Sequence, residues 1–276
     1  MKHETVPLFS DREDVSLEIF VPNPIPPYVR KAILIIPGGG YGCLCTDREG
    51  EHVAQAFMPY GYAAFVLRYS VGRVRPFPAQ LIEASAAIKH IRDHAAEYGI
   101  DPEQVFVTGF SAGGHLTASI GVLWHLPEIY DAVPMPYGYN KPNGVIPVYA
   151  VITTEERYCN PETEKDMYDT FCNLLCTDEP TKEQLHRVSL EKHVDERSAP
   201  CCMIHSSDDE MVPVENALLL AKAYADYGHC FAMHVYQHAP HAMVLGNAIT
   251  GLGFAPFIKK DLEKWVETAV LWAESL

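Results

Sequence analysis

Short, fully apolar runs alternate along this chain with segments whose apolar residues step by three and four. Residues 32–36 (AILII), 62–69 (YAAFVLRY), 105–109 (VFVTG), 144–152 (GVIPVYAVI) and 201–205 (CCMIH) have strand length and almost no polar positions. Such runs belong to strands covered on both faces. Between them, Leu81, Ala84, Ile88, Ile91 and Ala95 form one stripe over 78–98, which predicts an amphipathic helix ending near Gly99. Helices are also predicted over 51–60, from Ser111 onward, over 214–227, and in a last segment where Ile258, Leu262, Trp265, Val266, Ala269 and Ala273 share a face. A strand is expected at 231–236, and two short strands open the chain, the second at 15–21. Pro147 is a blemish in the 144–152 run, because proline cannot donate to a ladder.

Repeated strand–helix alternation predicts an α/β fold with a mostly parallel central sheet and helices on both faces. Residues 153–197 interrupt it: they are richer in charge, carry two weak helical patterns at 164–175 and 181–187, and hold no strand-like run. They read as a small cap insertion within a single domain spanning 1–276. No internal repeat or low-complexity tract breaks that unit.

With 276 residues, 48% of them hydrophobic, the chain can bury a sizeable core. Its 36 acidic residues against 21 Lys and Arg give a net charge of −15, which repels phosphate backbones and anionic membranes. Neither nucleic acid nor membrane is therefore expected as a partner. The opening residues lack an apolar signal core and no later run reaches a membrane span, so a cytoplasmic location is expected. In that compartment the eight cysteines read as free thiols, and none of their spacings suits a structural zinc site.

Candidate chemistry sits where strand gives way to helix. Gly109-Phe110-Ser111-Ala112-Gly113 fits G-x-S-x-G, and small residues around one serine suit a sharp turn that leaves its hydroxyl exposed at the C-terminal edge of the sheet. The Ala112 N–H, at a helix start, would face a carbonyl oxygen turning negative. Pro37-Gly38-Gly39-Gly40-Tyr41 follows another strand at the same edge and is the expected source of further N–H donors. A nucleotide site on those glycines is disfavoured, since Cys43 stands where a third Rossmann glycine belongs. A serine nucleophile needs a base and an acid that orients it, in the chain order Ser, Asp or Glu, His. The segment after 201–205 offers Asp208 and Asp209; the segment after 231–236 offers His238 and His241. Periodicity does not choose within either pair. His115 is expected to pack or hydrogen-bond locally.

Taken together, PGGGY, GFSAGGHL, SSDDEMVP and APHAM resemble the α/β-hydrolase superfamily, in particular its bacterial esterase/lipase branch with acetyl-xylan-esterase-like and feruloyl-esterase-like carbohydrate esterases. The resemblance spans 32–272. It implies Asp209, three positions before Val212-Pro213, as the acid and His241 as the base. In the branch that histidine usually precedes Gly, whereas Ala242 follows it here, which keeps His238 as the alternative. It also implies Gly39 and Gly40 as oxyanion donors beside Ala112, with Pro37 replacing the His that opens the related lipase loop. The function implied is a serine carboxylesterase acting on small acyl esters, acetylated sugars among them. No metal or organic cofactor is required, because protein groups supply nucleophile, base and electrostatic stabiliser. The expected partners are a small-molecule ester and, at most, a second copy of the chain in a homodimer. A peptidase or other acyl-transfer enzyme on the same triad, or a non-catalytic ligand-binding member of the fold, is the competing reading.

Overall fold

A computed structural model describes residues 1–276. Eight strands form one sheet: β1 (Lys2–Pro7), β2 (Ser16–Val21), β3 (Arg30–Ile36), β4 (Tyr62–Arg68), β5 (Ile100–Phe110), β6 (Gly144–Val148), β7 (Cys201–Ser206) and β8 (Phe231–Tyr236). Their order is β1-β2-β4-β3-β5-β6-β7-β8. β1 and β2 join antiparallel, as do β2 and β4, and every later pairing is parallel. This is the mostly parallel sheet that the apolar runs predict.

Ten α-helices accompany it: α1 (Thr46–Glu49), α2 (Glu51–Phe57), α3 (Ala79–Asp93), α4 (Ala95–Tyr98), α5 (Ala112–Val122), α6 (Pro127–Ala132), α7 (Lys165–Leu175), α8 (Lys182–Arg187), α9 (Glu215–Asp226) and α10 (Trp265–Glu274). Alternation along the central strands divides the core. Ala32, Leu34, Ile36, Val105 and Val107 face α3, α5 and α9, while Ile33, Ile35, Phe106 and Phe110 face α2 and α10. Both faces are thus buried, which accounts for strands without polar positions. No helix is long and apolar enough to cross a membrane.

Three departures from the sequence reading have local causes. The stripe over 78–98 breaks at His94, which leaves helical geometry between α3 and α4 with its ring on the His90 carbonyl at 2.8 Å. The last helix begins at Trp265 rather than Ile258. Pro256 opens a 3₁₀ turn, and the Lys259 N–H donates to Gly246 O at 2.7 Å instead of continuing a helix. β6 stops at Val148: Tyr149 still donates its N–H to Ile204 O at 2.7 Å but turns to φ +36° and takes the chain beyond it off the ladder. Pro147 does sit in this central strand, at a gap in the β6–β7 register between Val145↔Cys201 and Val148↔Ile204.

Candidate active site

β5 ends at Phe110, and Ser111 makes the turn into α5 with φ +54° and ψ −118°. That left-handed geometry is costly for a residue with a Cβ, on the order of 1–3 kcal/mol. It is held by Ser111 N donating to Val148 O at 3.1 Å and by Ser111 O accepting from His115 N at 3.0 Å. Close approach dictates the neighbouring glycine: a Cβ at Gly113 would lie 2.1 Å from Ile36 O and 2.4 Å from Pro37 O. α5 can therefore start against β3 only where residue 113 has no side chain.

The segments after β7 and β8 meet the serine. His241 Nε2 lies 2.9 Å from Ser111 Oγ, and His241 Nδ1 lies 2.8 Å from Asp209 Oδ2. The other Asp209 oxygen accepts from Met211 N at 3.0 Å and Val212 N at 2.9 Å, so the turn after β7 fixes the carboxylate. Asp209 is buried and the His241 side chain is 11% exposed. A carboxylate only accepts, which places a proton on His241 Nδ1 and leaves the Nε2 lone pair for the serine hydroxyl.

The neighbouring pair is built differently. His238 Nδ1 pairs with Asp208 Oδ2 at 3.0 Å, but the His238 side chain is 82% exposed and makes no bond to Ser111. The structure thus brings His241, not His238, to Ser111. Ala242, at the position where the branch usually has glycine, takes φ +61°, a region that favours glycine.

Gly39 (φ +127°) and Gly40 (φ +60°) face the same cleft as Ser111. A Cβ on Gly39 would stand 2.3 Å from Cys43 O. Neither glycine's N–H has an acceptor within the chain, whereas their carbonyls are tied down: Gly39 O by Gly42 N at 3.0 Å, Gly40 O by Asn173 Nδ2 at 2.9 Å. Ala112 is the first residue of α5, where a helix N–H has no intrahelical partner. Three backbone N–H groups without an acceptor in the chain thus belong to the residues around Ser111.

α7, within residues 153–197, lines this cleft of about 240 Å³ with Met167, Thr170 and Asn173, together with Met211 and Val212. His115 is buried, with Nε2 on Val188 O at 2.9 Å and Nδ1 on Tyr41 Oη at 2.8 Å, so it joins α5 to the glycine loop and the insertion. Burial depresses its pKa to about 4. Sequence reasoning missed Tyr41, Asn173, Glu49 and Tyr149. Tyr41 adjoins the glycines and could have been suspected, but the rest act across elements far apart in the chain. Glu49 in particular sits in the polar stretch Cys45–Glu51 (CTDREGE), ahead of the helix predicted over 51–60.

Sheet order, sharp serine turn and the three-residue relay define the class: this is an α/β-hydrolase. The BD-FAE family pattern matches residues 17–224, and the chain belongs to that family. It is 35% identical over 222 residues to endo-1,4-beta-xylanase B of Butyrivibrio fibrisolvens, a match covering 79% of this chain and 33% of that protein. It is 28% identical over 249 residues to the acetylxylan esterase of Xylanibacter ruminicola, covering 86% of this chain and 45% of that one. The chain thus spans a third to under a half of these relatives. Among solved structures, an acetyl ester-xyloside bifunctional hydrolase from Caldicellulosiruptor lactoaceticus superposes with a TM-score of 0.79 at 27% identity, over 99% of this chain and 96% of the other. A carboxylesterase from Lactobacillus plantarum, at 22% identity, shares the fold with a TM-score of 0.83 over 100% and 98% of the two chains.

Proposed function

We propose that the protein is a carboxylic ester hydrolase that works through a Ser111–His241–Asp209 triad and an acyl-enzyme. One observation carries the reading: a single imidazole stands at hydrogen-bonding range of both a strained, cleft-facing serine and a buried carboxylate. Ser111 Oγ attacks the ester carbonyl while its proton passes to His241 Nε2. Asp209 keeps the imidazole in the required tautomer and stabilises its charged form. The carbonyl oxygen, now negative, takes hydrogen bonds from Gly39, Gly40 and Ala112 N–H. As the tetrahedral adduct collapses, the alkoxide leaves with the proton from Nε2. Water, deprotonated by the same nitrogen, then attacks the acyl carbonyl, and as the acyl–Oγ bond breaks the proton returns from Nε2 to Ser111 and the acid departs.

A small acyl group fits a cleft of this size, narrowed by Met167 and Val151. A sugar as the alcohol is supported by hydrogen-bonding side chains at the cleft, Asp166, Thr170 and Asn173, and by relatives named as an acetylxylan esterase and an acetyl ester-xyloside bifunctional hydrolase. Residues 153–197 act as the cap that sets substrate choice. A hydrolysis panel tests this: acetylated xylo-oligosaccharides and p-nitrophenyl esters of graded length, beside aminoacyl anilides and Ser111→Ala. Short esters are expected to be cleaved and the alanine variant to lose at least about a thousandfold. Cleavage of anilides without esters would overturn the reading.

A further inference from the structure

The loop 37–41 between β3 and α1 is pinned almost atom by atom. Pro37 O accepts from Tyr69 Oη at 2.7 Å, Gly38 O accepts from Cys45 N at 3.0 Å, and the Gly39 and Gly40 carbonyls are held as described. Gly38 N is the exception in kind, because its acceptor is a charged side chain: Glu49 Oε2, at 2.6 Å. The other oxygen, Oε1, accepts from Tyr149 Oη at 2.9 Å. Glu49 is 2% exposed and Tyr149 is 1% exposed. The carboxylate also lies near Ser111, since a Cβ at Gly38 would stand 3.1 Å from both Glu49 Oε2 and Ser111 Cβ.

Burying a carboxylate is expensive, and a neutral side chain of the same shape would cost the fold less. Burial indeed pushes the Glu49 carboxyl above its ordinary range, against the two donors that hold it. The triad does not use this group. Its charge has the wrong sign to stabilise an oxyanion, so beyond the electrostatic support it lends a protonated His241 its contribution comes through placement. A carboxylate is suited to that, because it has only acceptors and both Gly38 N–H and Tyr149 O–H must point at it. The charge-assisted bond to Gly38 is short and directional. It fixes the Pro37–Gly38 peptide, one residue ahead of the two glycines that line the cleft.

We infer that Glu49 is a positioning residue for the proposed esterase reaction: through the Gly38 N–H it sets the direction of the Gly39 and Gly40 donors, and Tyr149 locks its carboxylate in the required rotamer. The inference rests on the reading of Ser111 as nucleophile. In Glu49→Gln, the amide oxygen can serve only one of the two donors, the NH₂ group must donate to the Tyr149 hydroxyl instead of accepting from it, and the bond to Gly38 N–H loses its charge assistance.

The test uses p-nitrophenyl acetate, with sites counted by exhaustive fluorophosphonate labelling, and the affinity of a trifluoromethyl ketone that mimics the tetrahedral adduct. Glu49→Gln is expected to lower kcat per site by about 10- to 100-fold, less than outright loss of an oxyanion donor. KM should change by less than about threefold, and ketone affinity should weaken by the same factor as kcat/KM. A kcat within about twofold of wild type, or a fall in kcat with unchanged ketone affinity, overturns the inference. Should Glu49→Gln fail to fold, Tyr149→Phe gives the same readout. About a threefold loss in both quantities is expected, and no change in either overturns the inference. A wild type that neither labels nor hydrolyses the ester overturns the esterase reading and the inference with it. An active wild type beside an unimpaired Glu49→Gln overturns the inference alone.

Discussion

Replacing Asp209 with Asn separates the two Asp–His pairs that lie side by side at the C-terminal edge of the sheet. Asp209 Oδ1 is committed to two backbone donors, Met211 N and Val212 N, at 3.0 and 2.9 Å. An asparagine oxygen keeps those bonds, so its NH₂ must face His241 Nδ1. Nδ1 then has to accept, the ring proton moves to Nε2, and Nε2 can no longer take the proton of Ser111. The loss expected from a wrong tautomer is about 10⁴ in kcat, roughly 5 kcal/mol of transition-state stabilisation. Fold stability should change little, because the backbone turn keeps its acceptor. Asp208→Asn makes the same chemical change one residue away. Its Oδ1 holds Ser206 Oγ at 2.8 Å and Ala239 N at 3.0 Å, contacts an amide oxygen preserves, and its partner His238 is mostly exposed. That variant should stay within about threefold of wild type. Initial rates with p-nitrophenyl acetate, with urea unfolding as the control for folding, decide the matter. An Asp209→Asn enzyme retaining a tenth of wild-type kcat, or an Asp208→Asn enzyme falling equally far, would refute the reasoning.

Other consequences are open to similar checks. Gly113→Ala drives a Cβ to 2.1 Å from Ile36 O, backbone that cannot yield without moving the glycine loop; urea unfolding should report a loss of about 3 kcal/mol or more, and an unchanged midpoint contradicts the packing argument. Asn173→Ala frees Gly40 O, held at 2.9 Å, and should cut kcat/KM about three- to tenfold, in line with one lost hydrogen bond. His115, depressed to about 4 by burial, is neutral in the folded state while the unfolded chain binds its proton from its ordinary 6.5 downward. Its contribution is therefore complete above that value and fades as pH falls toward 4, amounting to about 2 kcal/mol lost between pH 7 and 5. Urea titrations at the two pH values should register that loss in wild type and a smaller one in His115→Asn; equal losses would count against a buried neutral imidazole.

What the sequence makes legible is local. Small residues around Ser111 announce a tight strand-to-helix turn because nothing larger than hydrogen fits at 113, and apolar strands reveal a sheet buried on both faces. That a serine, an acid and a histidine come in that order follows from where strands end, while Asp209 and His241 are singled out within their pairs only by the family resemblance. What stays hidden depends on partners distant in the chain. The placement of β4 between β2 and β3 is a pairing decision that no local pattern encodes. Pro147 sits in a central strand because one gap in the β6–β7 ladder accommodates it, and His94 breaks a helix with neither proline nor glycine to mark the spot. Glu49, Tyr149 and Asn173 are ordinary residues until the fold sets them against the glycine loop. Within Asp208/Asp209 and His238/His241, identical chemistry one or three positions apart is resolved by burial and direction alone.

The account stands on Ser111 becoming acylated. Quenching the enzyme with acid during turnover of p-nitrophenyl acetate, digesting it and reading the peptides by mass spectrometry tests this directly. An acetyl group on Ser111, accumulating in Asp209-intact enzyme and absent from Ser111→Ala, is the expected result. Ester turnover with Ser111 unmodified, or with the acetyl group on another side chain, contradicts the proposed reaction.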